Sequence, residues 1–334
     1  MKDEILNEEF MDIPQPKSHK KIKIAITLIT SLAIIATTTL LVGHFKFDWF
    51  KSEVYNIDGK VSRSLASAYE YLDYDTKTKK YVKKTCSNPE PITGDDRFLT
   101  SGWYVVSRDV MSRYRVEISG KVNIILCDDY SWEAQGGLNV QSGNQLTIFG
   151  QTDGTGELEA DGDKNEAAIG GGENQNVGDI IINGGKVYAH SYGGSYAAGL
   201  GGGSSGKGGK MTINGGFVEA YSSDGAGIGG GLYGTCGTII INGGEVNAES
   251  SQGAGIGGGP TKAGGSVSIY GGKVTAKSSY GTGIGAGASS KENGTLKIGS
   301  GVTLYGGASE SSLKVLAKTA TDNVTTRTKD MKAN

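Results

Sequence analysis

The chain is poor in proline, cysteine and histidine, and each shortage closes a route. Five prolines in 334 residues exclude a collagen-like triple helix, which needs imino acids throughout a Gly-X-Y period. The three cysteines, Cys86, Cys127 and Cys236, lie far apart and form no Cys-x-x-Cys pair. Neither a disulfide framework nor a cysteine zinc site is expected from them. His190 is the one histidine beyond the His44 region, which leaves too few parts for a His-based metal site or a Ser-His-Asp triad. Charge of one sign is lacking as well. Thirty-three basic and 35 acidic residues give a net charge of −2, so no bulk attraction to nucleic acid is expected.

What the chain has in excess is glycine, 56 residues of it. Without proline this falls short of the composition of low-complexity disorder, and the length allows one large domain or two small ones. It also has one long apolar run. Residues 24–43 carry no charge, and at about 1.5 Å per residue such a helix spans a hydrocarbon core. Lys17, Lys20, Lys21 and Lys23 crowd its N-terminal side, and Phe45, Phe47, Trp49 and Phe50 follow it like an interfacial aromatic belt. The expected order is therefore a cytoplasmic tail at 1–23, a transmembrane helix at 24–43, and everything beyond it outside the cell. A cleaved signal peptide is the alternative. The long preceding tail and the lack of an Ala-x-Ala site speak against it. Residues 44–98 read as a juxtamembrane spacer in which Tyr69–Tyr74 and Lys80–Lys84 flank a polar turn, the pattern of a hairpin.

Beyond Gly102 the chain becomes periodic. The unit Asp179–Ala189 returns at Lys210–Ala220, Thr238–Ala248 and Ser266–Ala276, and each copy ends in a glycine block. Gly215, Gly243 and Gly271 are spaced 28 apart. Within a copy the apolar residues alternate with a period of two. Ile180/Ile182, Met211/Ile213, Ile239/Ile241 and Val267/Ile269 form one inward pair, with Ile181, Thr212, Ile240 and Ser268 outward. Val187/Ala189 and Ala198/Leu200, with their equivalents, form a second and a third. Helical spacing is absent. Three short strands per unit, turned at Asn-Gly-Gly and Gly-Gly-Gly, cannot bury an apolar face alone, whereas stacked turns can. The fold expected is all-β, a right-handed parallel β-helix (β-solenoid) of about seven coils over residues 99–317, with a polar tail at 318–334.

These segments resemble the glycine-rich "carbohydrate-binding domain" surface proteins of Gram-positive bacteria. The likeness rests on Leu99-Thr100-Ser101-Gly102-Trp103-Tyr104-Val105-Val106, on Val122–Asp128, and on the Ile-x-Ile-Asn-Gly-Gly-x-Val-x-Ala and Gly-Ala-Gly-Ile-Gly-Gly-Gly units, and covers roughly residues 82–310. It implies a parallel β-helix on the cell surface and supplies no catalytic residue.

Several motifs invite a stronger claim than they support. Gly225–Gly230 and Gly253–Gly258 match the dinucleotide fingerprint, but no helix pattern follows to hold a pyrophosphate, and a cofactor motif does not recur once per coil. No nucleotide and no cofactor are expected. Asn183, Asn214 and Asn242 recur at one position and predict an amide ladder. Parallel β-helices also host polysaccharide lyases and hydrolases, whose chemistry needs convergent carboxylates. Asp128/Asp129 and Asp161/Asp163 are the candidates, and both read as turns. The aromatic residues Tyr188, His190, Tyr192, Tyr196 and Tyr221 gather on adjacent coils, where exposed rings can stack on sugars; His190 and Tyr221 should be neighbours at about 4.8 Å. Tyr305, in a degenerate last copy, is expected to lie off that face. The function these observations predict is non-catalytic: a single-pass membrane-anchored surface protein for binding or adhesion, with a polysaccharide or cell-surface glycan as partner. A structural envelope spacer without a ligand is the alternative, and a polysaccharide-cleaving enzyme the next.

Overall fold

The computed structural model describes residues 68–307, except 193, 194, 291, 293 and 301, together with two strands at Lys314–Ala317 and Val324–Thr326. The expected tail at 1–23 and membrane helix at 24–43 lie outside the described residues. Among the described residues no helix is long and apolar enough to cross a membrane.

The chain winds into a parallel β-solenoid of the right-handed type, the hand that parallel crossovers take. Each regular turn contributes a four-residue strand such as Thr238–Ile241, a six-residue strand such as Glu245–Ser250, and a two-residue strand such as Ile256–Gly257. Equivalent strands of successive turns pair in parallel and build three sheets, called here the first, second and third. The 28-residue step is visible in the register: Ile213 faces Ile241, Ile241 faces Ile269, and Ala220 faces Ala248.

Alternation decides the interior. Ile180, Ile182, Met211, Ile213, Ile239 and Ile241 are buried, as are the Val/Ala pairs of the second sheet and the Ala/Ile pairs of the third. At roughly 1.5–3 kcal/mol per fully buried aliphatic side chain, this continuous core is what holds the coils together. Corner and third-sheet backbones need glycine. Gly216 has φ +81, and Gly229 has φ +140 with a hypothetical Cβ driven into the Gly257 carbonyl oxygen of the next coil. One interior device is polar: Ser191, Ser222, Ser250 and Ser278 take the next inward position of the second-sheet alternation and are buried, and each hydroxyl donates to a corner carbonyl, as Ser250 does to Gly225 at 2.6 Å.

The solenoid begins and ends differently from expectation. Glu90–Pro91 already pairs with Tyr104–Val105, so the stack starts inside the segment taken for a spacer. Proline is tolerated there because this strand is the edge of its sheet. At the far end, Lys314–Ala317 and Val324–Thr326 return antiparallel onto Thr303–Gly307 and Thr295–Ile298, the latter from within the expected tail, and cover two sheet edges.

The tyrosine-rich segments form a hairpin of β1 (Ala68–Asp75) and β2 (Lys80–Ser87), paired from Ala68–Ser87 to Asp75–Lys80. It is not a free spacer. Tyr71 packs on Trp103 at 4.9 Å and on Phe149 at 4.8 Å, over the outward face of the first sheet. An outward apolar stripe of Val105, Ile125 and Phe149 needs such a cover. Cys86 and Cys127 are buried in this cluster and Cys236 in the solenoid; none of the three is disulfide-bonded, and burial pushes the Cys236 thiol up to about 12.

Candidate functional site

The outward face of the second sheet carries the site. Its strands Lys186–Ser191, Phe217–Ser222, Glu245–Ser250, Lys273–Ser278 and Thr303–Gly307 lie side by side, so outward residues fall into columns across the coils. Tyr188, Glu219, Asn247, Thr275 and Tyr305 make one column; His190, Tyr221, Glu249 and Lys277 make the next. Between these columns runs a groove of about 670 Å³, floored by Ala220 and Ala248 and walled by charged and aromatic side chains. It follows the solenoid axis, crossing strands rather than running along one.

Four of the five sequence-predicted residues come together at one end of this face. His190 and Tyr221 are register partners, as expected. Tyr192 folds back over both, with ring centroids 5.2 Å from each. Tyr188 stands 6.1 Å from His190 and 5.5 Å from Phe217. Tyr196 does not join them. It lies on the corner towards the third sheet, its ring under Lys164 at 5.6 Å. His190 is also not the exposed ring expected: it is 7% exposed, because Tyr192, itself 58% exposed, lies against it.

Tyr305 overturns a second expectation. It lines the groove at the opposite end, brought there by pairing of Thr275 with Tyr305. The charged lining was also missed, although its signal is present. Glu219, Glu245, Glu249, Lys273 and Lys277 occupy the outward positions of the copies whose inward positions define the core.

Electrostatics differ between the two ends. Glu245 and Lys273 pair at 2.7 Å, and this hydrogen bond raises the lysine above its ordinary value. Glu249 and Lys277 stand 3.8 Å apart. At the tyrosine end, His190 Nε2 is 3.3 Å from Glu219 Oε1. Asp161 is the register partner of His190 on the other side. Burial, aided by the Glu133 charge, raises the Asp161 carboxyl, while His190 opposes the shift. Burial, with Asp161 and Glu219 nearby, raises the Tyr192 phenol as well.

The other carboxylate candidates are turn-formers. Asp128 accepts from the backbone of Asp153 and Thr155, both at 3.0 Å, and Asp129 sits at φ +66. Asp163 accepts from Lys164 N at 2.7 Å. Gly225–Gly230 contains the third-sheet strand Ile228–Gly229 and leads into a turn. Among the described residues, no three His, Cys, Asp or Glu side chains converge in a way that could hold a metal ion.

Residues 212–232, 239–260 and 267–288 match the sequence model of a family described as Beta helix repeat. Each matched stretch starts in a first-sheet strand and runs through a third-sheet one, so the matched repeat and the coil of the fold are the same unit. No curated protein and no solved structure matches the chain. The match and the structure thus agree on a β-helix-repeat fold, one that adhesins, lyases and hydrolases share.

Proposed function

We propose that the chain is a non-catalytic surface protein that binds glycans and serves in adhesion, anchored by residues 24–43 with its N-terminus in the cytoplasm. The observation that carries this is the groove itself, with the Tyr192–Tyr221 pair at one end and Tyr305 at the other. Tyrosines offer flat faces at small entropy loss, and intervening Asn247 and Thr275 supply hydrogen bonds to hydroxyls. Coil spacing of about 4.8 Å is close to the length of one pyranose, which suits an extended polymer laid along the axis. The resemblance to glycine-rich surface proteins, and the lysine-flanked apolar run, agree with this placement.

A glycan-array screen followed by calorimetry tests it. Tyr221→Ala and Tyr305→Ala should each weaken binding by about 1–2 kcal/mol, the scale of one aromatic anchor. Tyr233→Ala, exposed but off the groove, is the control. Unchanged affinity in both groove variants would remove this face from consideration. A polysaccharide-cleaving activity is the second reading, favoured by one observation: His190 stands between Asp161 and Glu219. New reducing ends, lost in His190→Ala, would decide for it.

A further inference from the structure

The two ends of the groove differ in how their carboxylates are balanced. Glu245 and Glu249 each have a lysine, Lys273 and Lys277, one coil below. The tyrosine end has carboxylates facing an imidazole instead of an ammonium: Glu219 at 3.3 Å on one side of His190, and Asp161 in register on the other. Glu159 stands in register with Tyr188 beside them, and Glu133 with Glu159. Lys186, on the same strand as His190, is drawn to Glu157 at 3.9 Å.

Negative charge therefore gathers where the aromatic platform is. A neutral sugar stacked on Tyr192 and Tyr221 would gain ring contact but would strip water from Glu219 without replacing its charge partner. A sugar bearing an ammonium group would gain both a charge-assisted hydrogen bond to the carboxylate and cation–π attraction to the rings.

We propose that the ligand of this groove is a basic glycan, a polymer of amino sugars with free ammonium groups, one of them held at Glu219 beside Tyr192 and Tyr221. This rests on the glycan-binding function proposed above and adds the charge class of the ligand.

The test uses the full-length chain in detergent, in near-neutral buffer, where amino sugars still carry ammonium charge and an ordinary imidazole is mostly neutral. Three β-1,4-linked six-sugar ligands are titrated: glucosamine, N-acetylglucosamine and glucose. The glucosamine ligand should bind about tenfold more tightly than the other two, an advantage that high salt erodes. Glu219→Gln, on the outer face, should keep its thermal midpoint and bring the three ligands to within about threefold of one another. Glu90→Gln, an exposed carboxylate on the first sheet, matches it in net charge and should keep the preference. Equal affinities in the unaltered protein would overturn the charge assignment and leave a glycan groove standing. A preference that survives Glu219→Gln would place the ammonium elsewhere and also overturn it. Failure of all three to bind would take down the groove function as well.

Discussion

Asn183 donates through Nδ2 to Oδ1 of Asp73 at 3.1 Å, and by this bond the hairpin closes the top of the solenoid's amide ladder. Below it, Asn214 donates to Asn183 at 2.6 Å and Asn242 to Asn214 at 2.7 Å. Each amide thus needs an acceptor one coil above. Above Asn183 the chain has Phe149 after Ile148, and no amide is available. The hairpin carboxylate takes that role, and its second oxygen holds Lys84 at 2.6 Å.

Asp73→Ala should therefore cost about 1–3 kcal/mol, the range for leaving a largely buried donor unmet. Asp73→Asn keeps an acceptor oxygen and should lose less. Amide exchange in β1 and β2 reads the local effect, and chemical denaturation the global one. Equal losses in the two variants would assign the effect to the Lys84 pair and not to the ladder.

Core register gives a sharper contrast. Ile241→Asp places a carboxylate among buried Ile213, Ile239 and Ile269, at a cost of several kcal/mol unless the group neutralises. Thr212→Asp, outward on the neighbouring coil, should cost less than about 1 kcal/mol. Comparable thermal destabilisation by both would contradict the in/out assignment.

Glycines with similar signs of φ should differ in consequence. Gly229→Ala combines φ +140 with a methyl forced against the Gly257 carbonyl, and should cost about 3 kcal/mol or prevent folding. Gly143→Ala has φ +92 but open space around it, and should cost about 1–2 kcal/mol. Denaturant midpoints of the two variants rank them, and a reversed order would refute the close-approach argument.

Alkaline stability should report the hairpin dock. The Tyr81 hydroxyl donates to the Asn214 carbonyl at 2.9 Å and sits where any side chain on Gly215 would collide with it. Enclosure of the hydroxyl, with Tyr74 nearby, pushes its pKa up to about 12 from 10.0, although the ring as a whole is 42% exposed. The folded state holds this proton more tightly than the unfolded state does. Stability is therefore complete below the unfolded value and falls as pH rises from there towards the folded one. Solvent at the exposed ring edge screens the effect, so the slope should be shallow. In Tyr81→Phe the hairpin should lose its part of that slope; an unchanged pH profile would place the titrating group elsewhere.

The inward/outward alternation was legible because a strand's period of two leaves no latitude: Ile239 and Ile241 inward force Ile240 outward. The amide ladder was legible for the same reason, since identical positions in stacked coils must meet. The hairpin dock was not, because Tyr71 meets Trp103 and Phe149 across segments that share no repeat. Tyr305 escaped because the last corner is longer than the regular unit, which breaks the column in sequence while pairing restores it in space. His190 was misjudged for a local reason: alternation says which way a side chain points, not whether Tyr192 will lie over it.

The groove advances one coil at a time, so its reach is a whole number and not a continuous length. Thr238 and Ser266 occupy the same register position, and removing residues 238–265 would join Gly237 directly to Ser266. Every remaining strand would keep an equivalent neighbour, while Tyr221 and Tyr305 would draw closer by one strand spacing, about 4.8 Å. A ligand shorter by one unit would then fit between the same two rings. Duplication or loss of a coil is thereby a ruler adjustment, open to evolution and to engineering without redesign of the interior.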